Sequence, residues 1–198
     1  MNVILASTSR YRAQLLERLQ LPFTQQAPVC DEKPVAGELP EQMARRLAQA
    51  KAMSVAKGLT QGVVIGSDQV ATLEGAIAVG KPGGFEQAHA QLTAASGRGV
   101  TFYTGLTVIH VETGQEQSCV EPFRVVFRDL NDHMIHNYLH REAPYDCAGS
   151  FKVEGLGITL FERLEGDDPT ALMGLPLIRL TRMLEAVGVE PLGMRDAT

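Results

Sequence analysis

Apolar residues fall into short continuous runs and into stripes at helical spacing, which alternate along the chain. Val3-Ile4-Leu5-Ala6 and Val63-Val64-Ile65 are continuous apolar runs, and such runs predict buried strands. Alternating residues over 100–111 and 116–128, on either side of Thr113-Gly114, predict a long β-hairpin. The pattern therefore predicts a sheet with at least four strands.

Apolar stripes with cap residues predict five helices. The first helix follows Ser7-Thr8-Ser9, and the second runs from Pro40 to near Gly58. The third passes through Ala88 and Leu92 and ends at Gly97. The fourth follows Asn131, and the fifth runs from near Pro176 to Gly188. Residues 24–39 and 144–157 are predicted loops, and 158–161 is a predicted strand. Strands and helices intermix without repeats or a linker, which predicts one α/β domain over residues 1–198 with an irregular tail at 189–198.

Composition narrows the classes of partner. The 198 residues include 18 basic and 23 acidic side chains, which give a net charge of −5. Proteins that coat nucleic acid usually carry a basic face instead. No apolar run approaches the roughly 18 residues that span a bilayer, and the N-terminus lacks the features of a signal peptide. We therefore expect no nucleic-acid polymer and no membrane as partner. Three cysteines without metal-ligand spacing favour free thiols and a cytoplasmic location.

The start of the first helix is a candidate anion site. Ser7 and Ser9 lie where backbone N–H groups of a helix N-terminus are exposed, and Arg12 follows one turn later. An arginine there can make a bidentate phosphate contact. Ordinary capping plus a surface arginine explains the same pattern equally well.

Carboxylates and glycine-rich loops supply the other candidates. Asp68 follows an apolar strand, where α/β sheets place ligands, and it suits a metal ligand, a general base or a turn residue. Asp31-Glu32 suits either a Mg²⁺ site or a solvated loop. Lys81, between Gly80 and Pro82, and the segment 149–155 resemble surface turns when each is taken alone. His133, His136 and His140 are predicted to form a polar helix face.

Taken together in order, these segments resemble the Maf-like nucleoside triphosphate pyrophosphatases. The matching motifs are Leu5-Ala6-Ser7-Thr8-Ser9 with Arg12, Asp31-Glu32, Lys51, Gly66-Ser67-Asp68, Gly80-Lys81-Pro82, Phe102-Tyr103-Thr104-Gly105, Glu121-Pro122-Phe123, Ala148-Gly149-Ser150-Phe151 and Gly174-Leu175-Pro176-Leu177. Each motif is weak alone, but the ordered set runs from residue 3 to about residue 187.

Three positions place the chain near one subgroup. Tyr11, Gln69 and Glu154 resemble the subgroup that hydrolyses 7-methylguanosine triphosphate, since the dTTP/UTP subgroup typically has arginine, threonine and glutamine there. The chain departs from the family pattern at Arg10, where proline is usual, and at Ala13, where a second arginine is usual. The 7-methylguanosine subgroup often has tryptophan where this chain has Tyr11.

The resemblance implies a fold, a reaction and roles. The implied fold is α/β, with a mixed bent sheet flanked by helices and two lobes around a central cleft, of the Maf/ITPase-like kind. The implied reaction cleaves 7-methyl-GTP to 7-methyl-GMP and pyrophosphate. The implied catalytic residues are Asp68 as base, Glu32, Lys51 and Lys81; the implied binding residues are Ser7, Ser9, Arg12 and Lys152; the implied specificity residues are Tyr11, Gln69 and Glu154.

The resemblance also implies a divalent cation and a second subunit. Glu32 and Asp68 are the implied ligands of Mg²⁺ or Mn²⁺, and a homodimer is the implied assembly. Two alternatives stay open: a dTTP/UTP pyrophosphatase of the same family, and a nucleotide-binding regulator of cell division with little catalysis.

Overall fold

The computed structural model describes residues 1–75 and 77–193. The elements in those residues are β1 (Val3–Leu5), α1 (Arg10–Glu17), β2 (Phe23–Gln25), α2 (Pro40–Ala56), β3 (Val63–Leu73), β4 (Ile77–Ala78), α3 (Phe85–Ala95), β5 (Gly99–His110), β6 (Glu116–Phe127), α4 (Asp132–Glu142), β7 (Phe161–Glu165) and α5 (Leu177–Glu185). Three short 3-10 helices occupy Ala148–Ser150, Leu156–Leu160 and Ala171–Met173.

The strands form one mixed sheet in the order β2-β1-β3-β5-β6-β7, with β4 paired to β3. β1 is parallel to both β2 and β3, whereas β4 and β7 pair antiparallel with β3 and β6. Val111 N donates to Gly62 O, and Glu74 N donates to Gly99 O, so β5 runs back along β3. The predicted α/β class with a mixed sheet is confirmed, as is the long hairpin, now β5 and β6.

The chain divides into two compact units, each assembled from separated segments. Among the described residues, 1–68, 104–121 and 168–193 form the first unit, and 69–75, 77–103 and 122–167 form the second. β3, β5 and β6 each contribute to both units. The predicted cleft and the bend of the sheet stay predictions.

The first unit has apolar packing on both faces of its sheet. Consecutive strand residues point to opposite faces, and β1 follows this rule: Val3 and Leu5 pack in one cluster, while Ile4 packs in the other. The first cluster includes α1 and α5, and the second includes Ala52 and Val55 of α2. Both faces of β1 are therefore covered by helices, which explains its continuous apolar run.

α2 lies directly against the backbone of β3 and β5 in the first unit. A Cβ atom built on Gly66 would lie 2.3 Å from Ala48 O, and one built on Gly105 would lie 2.1 Å from Ala44 O. Real Cβ atoms do not approach other atoms so closely, so both positions need glycine. The two glycines set the distance between α2 and the sheet.

The second unit contains a cluster of four phenylalanines. Phe151 makes edge-to-face contacts with Phe102, Phe127 and Phe161, with ring centroids 5.5, 5.7 and 4.8 Å away. Such perpendicular arrangements suit the quadrupoles of aromatic rings. The cluster joins β5, β6 and β7 to the start of the segment that follows Ser150.

The structure corrects three predictions of local structure. β3 does not end at Gly66 but continues through Asp68 to Leu73, because later residues pair with β4 and β5 after the pairing with β1 stops at Ile65. β2 occupies part of the predicted loop 24–39: Thr24 and Gln25 are exposed and polar, and the half-buried Phe23 alone does not make an apolar run. Residues 158–160 form a 3-10 turn, in which Thr159 Oγ1 donates to Leu156 O, and the strand starts at Phe161.

Three further findings concern the tail, membrane spans and the thiols. Residues 189–193 lie outside helices and strands, and 194–198 lie outside the described residues. Among the described residues no helix has both the length and the apolar character needed to cross a membrane. Cys30, Cys119 and Cys147 form no disulfide there.

We expect Gly66→Ala to destabilise the protein, because the new methyl group would overlap the backbone of α2. Overpacking of this kind costs roughly 1–3 kcal/mol. Thermal and urea unfolding measure the change, with Gly58→Ala as control, since a Cβ at Gly58 would make only an ordinary 3.7 Å contact. Equal stability of the two variants would contradict the close approach of α2.

Candidate active site

The ammonium group of Lys51 lies between two carboxylates in the first unit. Lys51 Nζ lies 2.6 Å from Asp68 Oδ1 and 2.9 Å from Glu32 Oε1. α2 supplies Lys51, β3 supplies Asp68 and the loop before α2 supplies Glu32. The structure thus brings together three residues that the sequence analysis placed in one site.

The surroundings keep Lys51 protonated. Burial alone would lower the pKa of Lys51 and is the largest effect, but attraction to Asp68 and hydrogen bonds to Asp68 and Glu32 together raise the pKa above its ordinary value. The side chain of Asp68 is 12% exposed and that of Glu32 is 61% exposed. The ion pair is therefore buried at Asp68 and open to solvent at Glu32.

The start of α1 is organised by its two serines. Ser9 is the N-cap residue, and its Oγ accepts from Arg12 N at 3.4 Å. Ser7 is buried, and its Oγ accepts from Ser9 N at 3.1 Å. Ser9 thus caps α1, as the capping alternative predicted, and in these bonds both hydroxyl oxygens accept, whereas a hydroxyl also carries an O–H donor.

Arg12 is held by a backbone carbonyl that the sequence analysis did not single out. Its Nε donates to Gly174 O at 2.9 Å, while Nη1 lies 3.5 Å from Ser7 Oγ. Ser67 Oγ lies 2.9 Å from the same carbonyl oxygen and 2.9 Å from Gly105 O. Gly174 has φ +99°, a conformation that favours glycine, so the Gly174-Leu175-Pro176 motif was the available signal.

Arg12 also belongs electrostatically to the carboxylate cluster. Burial lowers the pKa of Arg12, and the charges of Asp68 and Glu32 oppose that effect. Two cations, Arg12 and Lys51, and two anions, Asp68 and Glu32, therefore occupy one region of the first unit.

The loop that carries Glu32 is fastened to α2 by Arg46. The guanidinium of Arg46 donates to both carboxylate oxygens of Glu38, at 2.6 and 2.7 Å, and to Lys33 O at 3.2 Å. This fork geometry is the strong form of an arginine–carboxylate contact. Arg46 and Glu38 thus restrain the chain next to Glu32, and neither was predicted, because their pairing depends on how the loop folds.

The carboxylate pair suits a divalent cation that is shared with a substrate. No group of three or more metal-binding side chains converges within residues 1–75 and 77–193. Asp68 and Glu32 nevertheless both contact the ammonium group of Lys51, so the two carboxylates lie close together. Mg²⁺ is usually bound by one or two carboxylates plus substrate phosphates rather than by an all-protein cage. The donor set fits that arrangement.

The second unit holds four further predicted residues. Lys81 is exposed on the loop before α3, and Gln69 follows Asp68 directly on β3. Lys152 Nζ donates to Glu142 O at 3.3 Å, so its ammonium group rests at the C-terminal end of α4. Glu154 is exposed on the loop between two short 3-10 helices. Their roles in catalysis and binding stay predictions.

The departure at Arg10 has a direct consequence for Tyr11. The Arg10 guanidinium carbon lies 4.9 Å from the Tyr11 ring centroid, and Arg10 Nη2 donates to Tyr11 Oη at 2.9 Å. A cation therefore already lies over one face of this ring. A cationic base stacking on Tyr11 would have to use the opposite face or displace Arg10.

The fold and the site define an α/β protein in which two cations lie beside paired carboxylates. A family model described as Maf-like protein matches residues 2–187. The chain therefore belongs to the Maf family.

Three curated relatives are similar over nearly the whole chain, and each is named 7-methyl-GTP pyrophosphatase. A protein of Polaromonas sp. is 54% identical over 187 residues, which cover 94% of this chain and 85% of the relative. A protein of Vibrio vulnificus is 52% identical over 191 residues, covering 96% and 97%. A protein of Nitrosococcus oceani is 54% identical over 186 residues, covering 94% and 93%.

We expect Lys51→Met to lower the unfolding free energy at pH 7, because two carboxylates then face each other without their cation. The expected loss is roughly 1–3 kcal/mol. Since folding raises the pKa of Lys51, its stabilising effect is complete below the ordinary value of 10.5 and is lost as pH rises through the folded-state value.

Urea unfolding at pH 7 to 11 measures the difference between the wild-type protein and this variant. The difference in free energy of unfolding should become smaller toward pH 11. Lys57→Met, at the exposed C-cap of α2, is the control and should show no comparable loss. A gap that widens above pH 10.5 would contradict the raised pKa of Lys51.

Proposed function

We propose that this protein is a nucleoside triphosphate pyrophosphatase that hydrolyses 7-methyl-GTP to 7-methyl-GMP and pyrophosphate. The observation that carries the proposal is the contact of Lys51 with both Asp68 and Glu32, beside Arg12. The names of the three relatives support the same substrate.

Asp68 is the proposed general base. Its carboxylate orients the attacking water and accepts its proton as the water oxygen bonds to the α-phosphorus. The bond between the α-phosphorus and the bridging oxygen breaks, and pyrophosphate leaves with that oxygen. Lys51 holds Asp68 in place through the 2.6 Å contact.

Cationic side chains balance the charge of the phosphates. Lys51 and Arg12 stabilise negative charge on the phosphate oxygens as the anhydride bond breaks. Lys81 is proposed for the same task, and Ser7, Ser9 and Lys152 for seating the phosphates. Glu32 and Asp68 would hold Mg²⁺ or Mn²⁺, which as a Lewis acid polarises phosphoryl oxygens when bound.

The methylated base is recognised by its positive charge. Methylation at N7 makes the guanine ring cationic, and a cationic ring favours an aromatic face, worth about 0.5–2 kcal/mol, which is the role proposed for Tyr11. Glu154 is proposed to accept from N1–H and the exocyclic amine, at about 1.5–3 kcal/mol for bonds to a charged group. Gln69 is proposed to contact the base edge.

A regulator that only binds nucleotide is disfavoured by the carboxylates. Asp68 and Glu32 repel an anionic ligand unless a cation or an activated water uses them. We also propose a cytoplasmic location, which fractionation of cells tests, and a homodimer, which sedimentation of the purified protein tests.

The substrate proposal predicts a preference for the methylated base that depends on Glu154. Pyrophosphate release is measured with 7-methyl-GTP, GTP, dTTP and UTP, with Mg²⁺, Mn²⁺ or EDTA. We expect 7-methyl-GTP to have the highest kcat/KM and EDTA to abolish turnover. Glu154→Gln should lower the ratio of kcat/KM for 7-methyl-GTP over GTP by roughly tenfold or more.

Glu162→Gln, at an exposed position on β7, is the matched control and should keep the wild-type ratio. Preference for dTTP or UTP would assign the chain to the pyrimidine subgroup instead. Binding of nucleotide without release of pyrophosphate would favour the regulator.

The base assignment predicts that Asp68→Asn loses turnover by about 10²–10⁴-fold while nucleotide still binds. The amide keeps the shape of the side chain but is a poor proton acceptor. Calorimetric titration measures binding, and pyrophosphate release measures turnover. The control is Asp167→Asn, which removes an exposed carboxylate of the second unit. Near-normal turnover in Asp68→Asn would remove Asp68 from the mechanism.

A further inference from the structure

The loop 151–157, which carries Glu154, is fastened to α4 on both sides of that residue. Tyr138 Oη accepts from Lys152 N at 3.1 Å, two residues before Glu154. Glu142 Oε2 accepts from Leu156 N at 2.7 Å, two residues after it. Both α4 residues are spaced one turn apart, so they lie on the same face of the helix.

The carboxylate of Glu142 is the centre of this arrangement. Its side chain is only 19% exposed, and its Oε1 lies 3.8 Å from Lys152 Nζ, which also donates to the backbone carbonyl of Glu142. A Cβ atom on Gly155 would lie 2.7 Å from Glu142 Oε2. The loop therefore closes around this carboxylate, and the absence of a side chain at Gly155 makes the contact possible.

The loop is fixed at its beginning as well. Phe151 is buried in the phenylalanine cluster, and Tyr138 is buried beneath the loop. Burial raises the pKa of Tyr138, so its phenol stays neutral at physiological pH. Glu154, in contrast, is exposed. An exposed carboxylate thus sits on a backbone that is restrained before and after it.

We propose that Glu142, assisted by Tyr138, is a positioning residue that fixes the backbone of loop 151–157 and so determines where Glu154 meets the base. The proposal rests on the proposed function, because it requires Glu154 to read the methylated base. A flexible loop loses conformational entropy when it becomes ordered on binding, and a loop that is already restrained avoids most of that cost. Restraint therefore favours 7-methyl-GTP, the ligand whose base is proposed to need Glu154.

The test compares Glu142→Ala, Glu142→Gln and Glu154→Gln, with Glu162→Ala as a control away from α4. Steady-state kinetics give kcat and KM for 7-methyl-GTP and GTP, and hydrogen exchange reports the amides of 151–157. Glu142→Ala should lower the preference for 7-methyl-GTP by roughly tenfold, mainly through KM, with GTP little changed.

Glu142→Gln should recover most of that preference, because its amide oxygen still accepts from Leu156 N. Exchange of the loop amides should be faster in Glu142→Ala than in Glu142→Gln. If Glu142→Ala does not fold, Tyr138→Phe removes the acceptor for Lys152 N and should shift the ratio in the same direction.

The outcomes separate this inference from the base-reading proposal. Faster loop exchange in Glu142→Ala with an unchanged substrate ratio would overturn the positioning role, provided that Glu154→Gln lowers the ratio. An unchanged ratio in Glu154→Gln would overturn the base-reading role of Glu154 and this inference with it.

Discussion

One ammonium group between two carboxylates sets the requirements for much of the first unit. Burying Lys51 and Asp68 costs desolvation energy, which only a close and well-oriented contact offsets. The 2.6 Å contact between them needs α2 to lie against β3, and that approach needs a hydrogen atom rather than a side chain at Gly66. The charge cluster and the glycine in the strand are therefore two parts of one structural solution.

The same approach explains how three distant stretches of sequence reach one position. Glu32 lies in a loop that Arg46 ties to α2, so the helix that supplies Lys51 also restrains the second carboxylate. Gly174 O then links the segment before α5 to α1, because Arg12 Nε donates to it, and Ser67 Oγ of β3 lies 2.9 Å from the same oxygen. The site is thus held both by ion pairs between side chains and by hydrogen bonds from side chains to backbone carbonyls.

Features with local causes were predictable from sequence. The caps at Ser9 and Asn131 and the hairpin of β5 and β6 follow from residues within a few positions of one another. Features that depend on residues distant in the sequence could not be predicted. Asp68 was expected after a strand, since no local signal shows that β3 changes partners, and Glu142 resembled any surface glutamate because its partner amide is 14 residues away. Lys51 entered only through the family resemblance.

The charge count of the cluster bears on what accompanies the substrate. Arg12 and Lys51 carry two positive charges, and Asp68 and Glu32 carry two negative charges, so the group is neutral when all four are ionised. A triphosphate that entered this region would meet no net positive charge, and attraction to the two cations would be offset by repulsion from the two carboxylates. Under the proposed function, a divalent cation bound to the phosphates would reverse the balance, because it would turn both carboxylates from repulsive neighbours into ligands. The acidic pair is therefore an argument for proposing a substrate that arrives as a metal complex, and on that proposal the net charge of −5 for the chain is compatible with a nucleotide ligand.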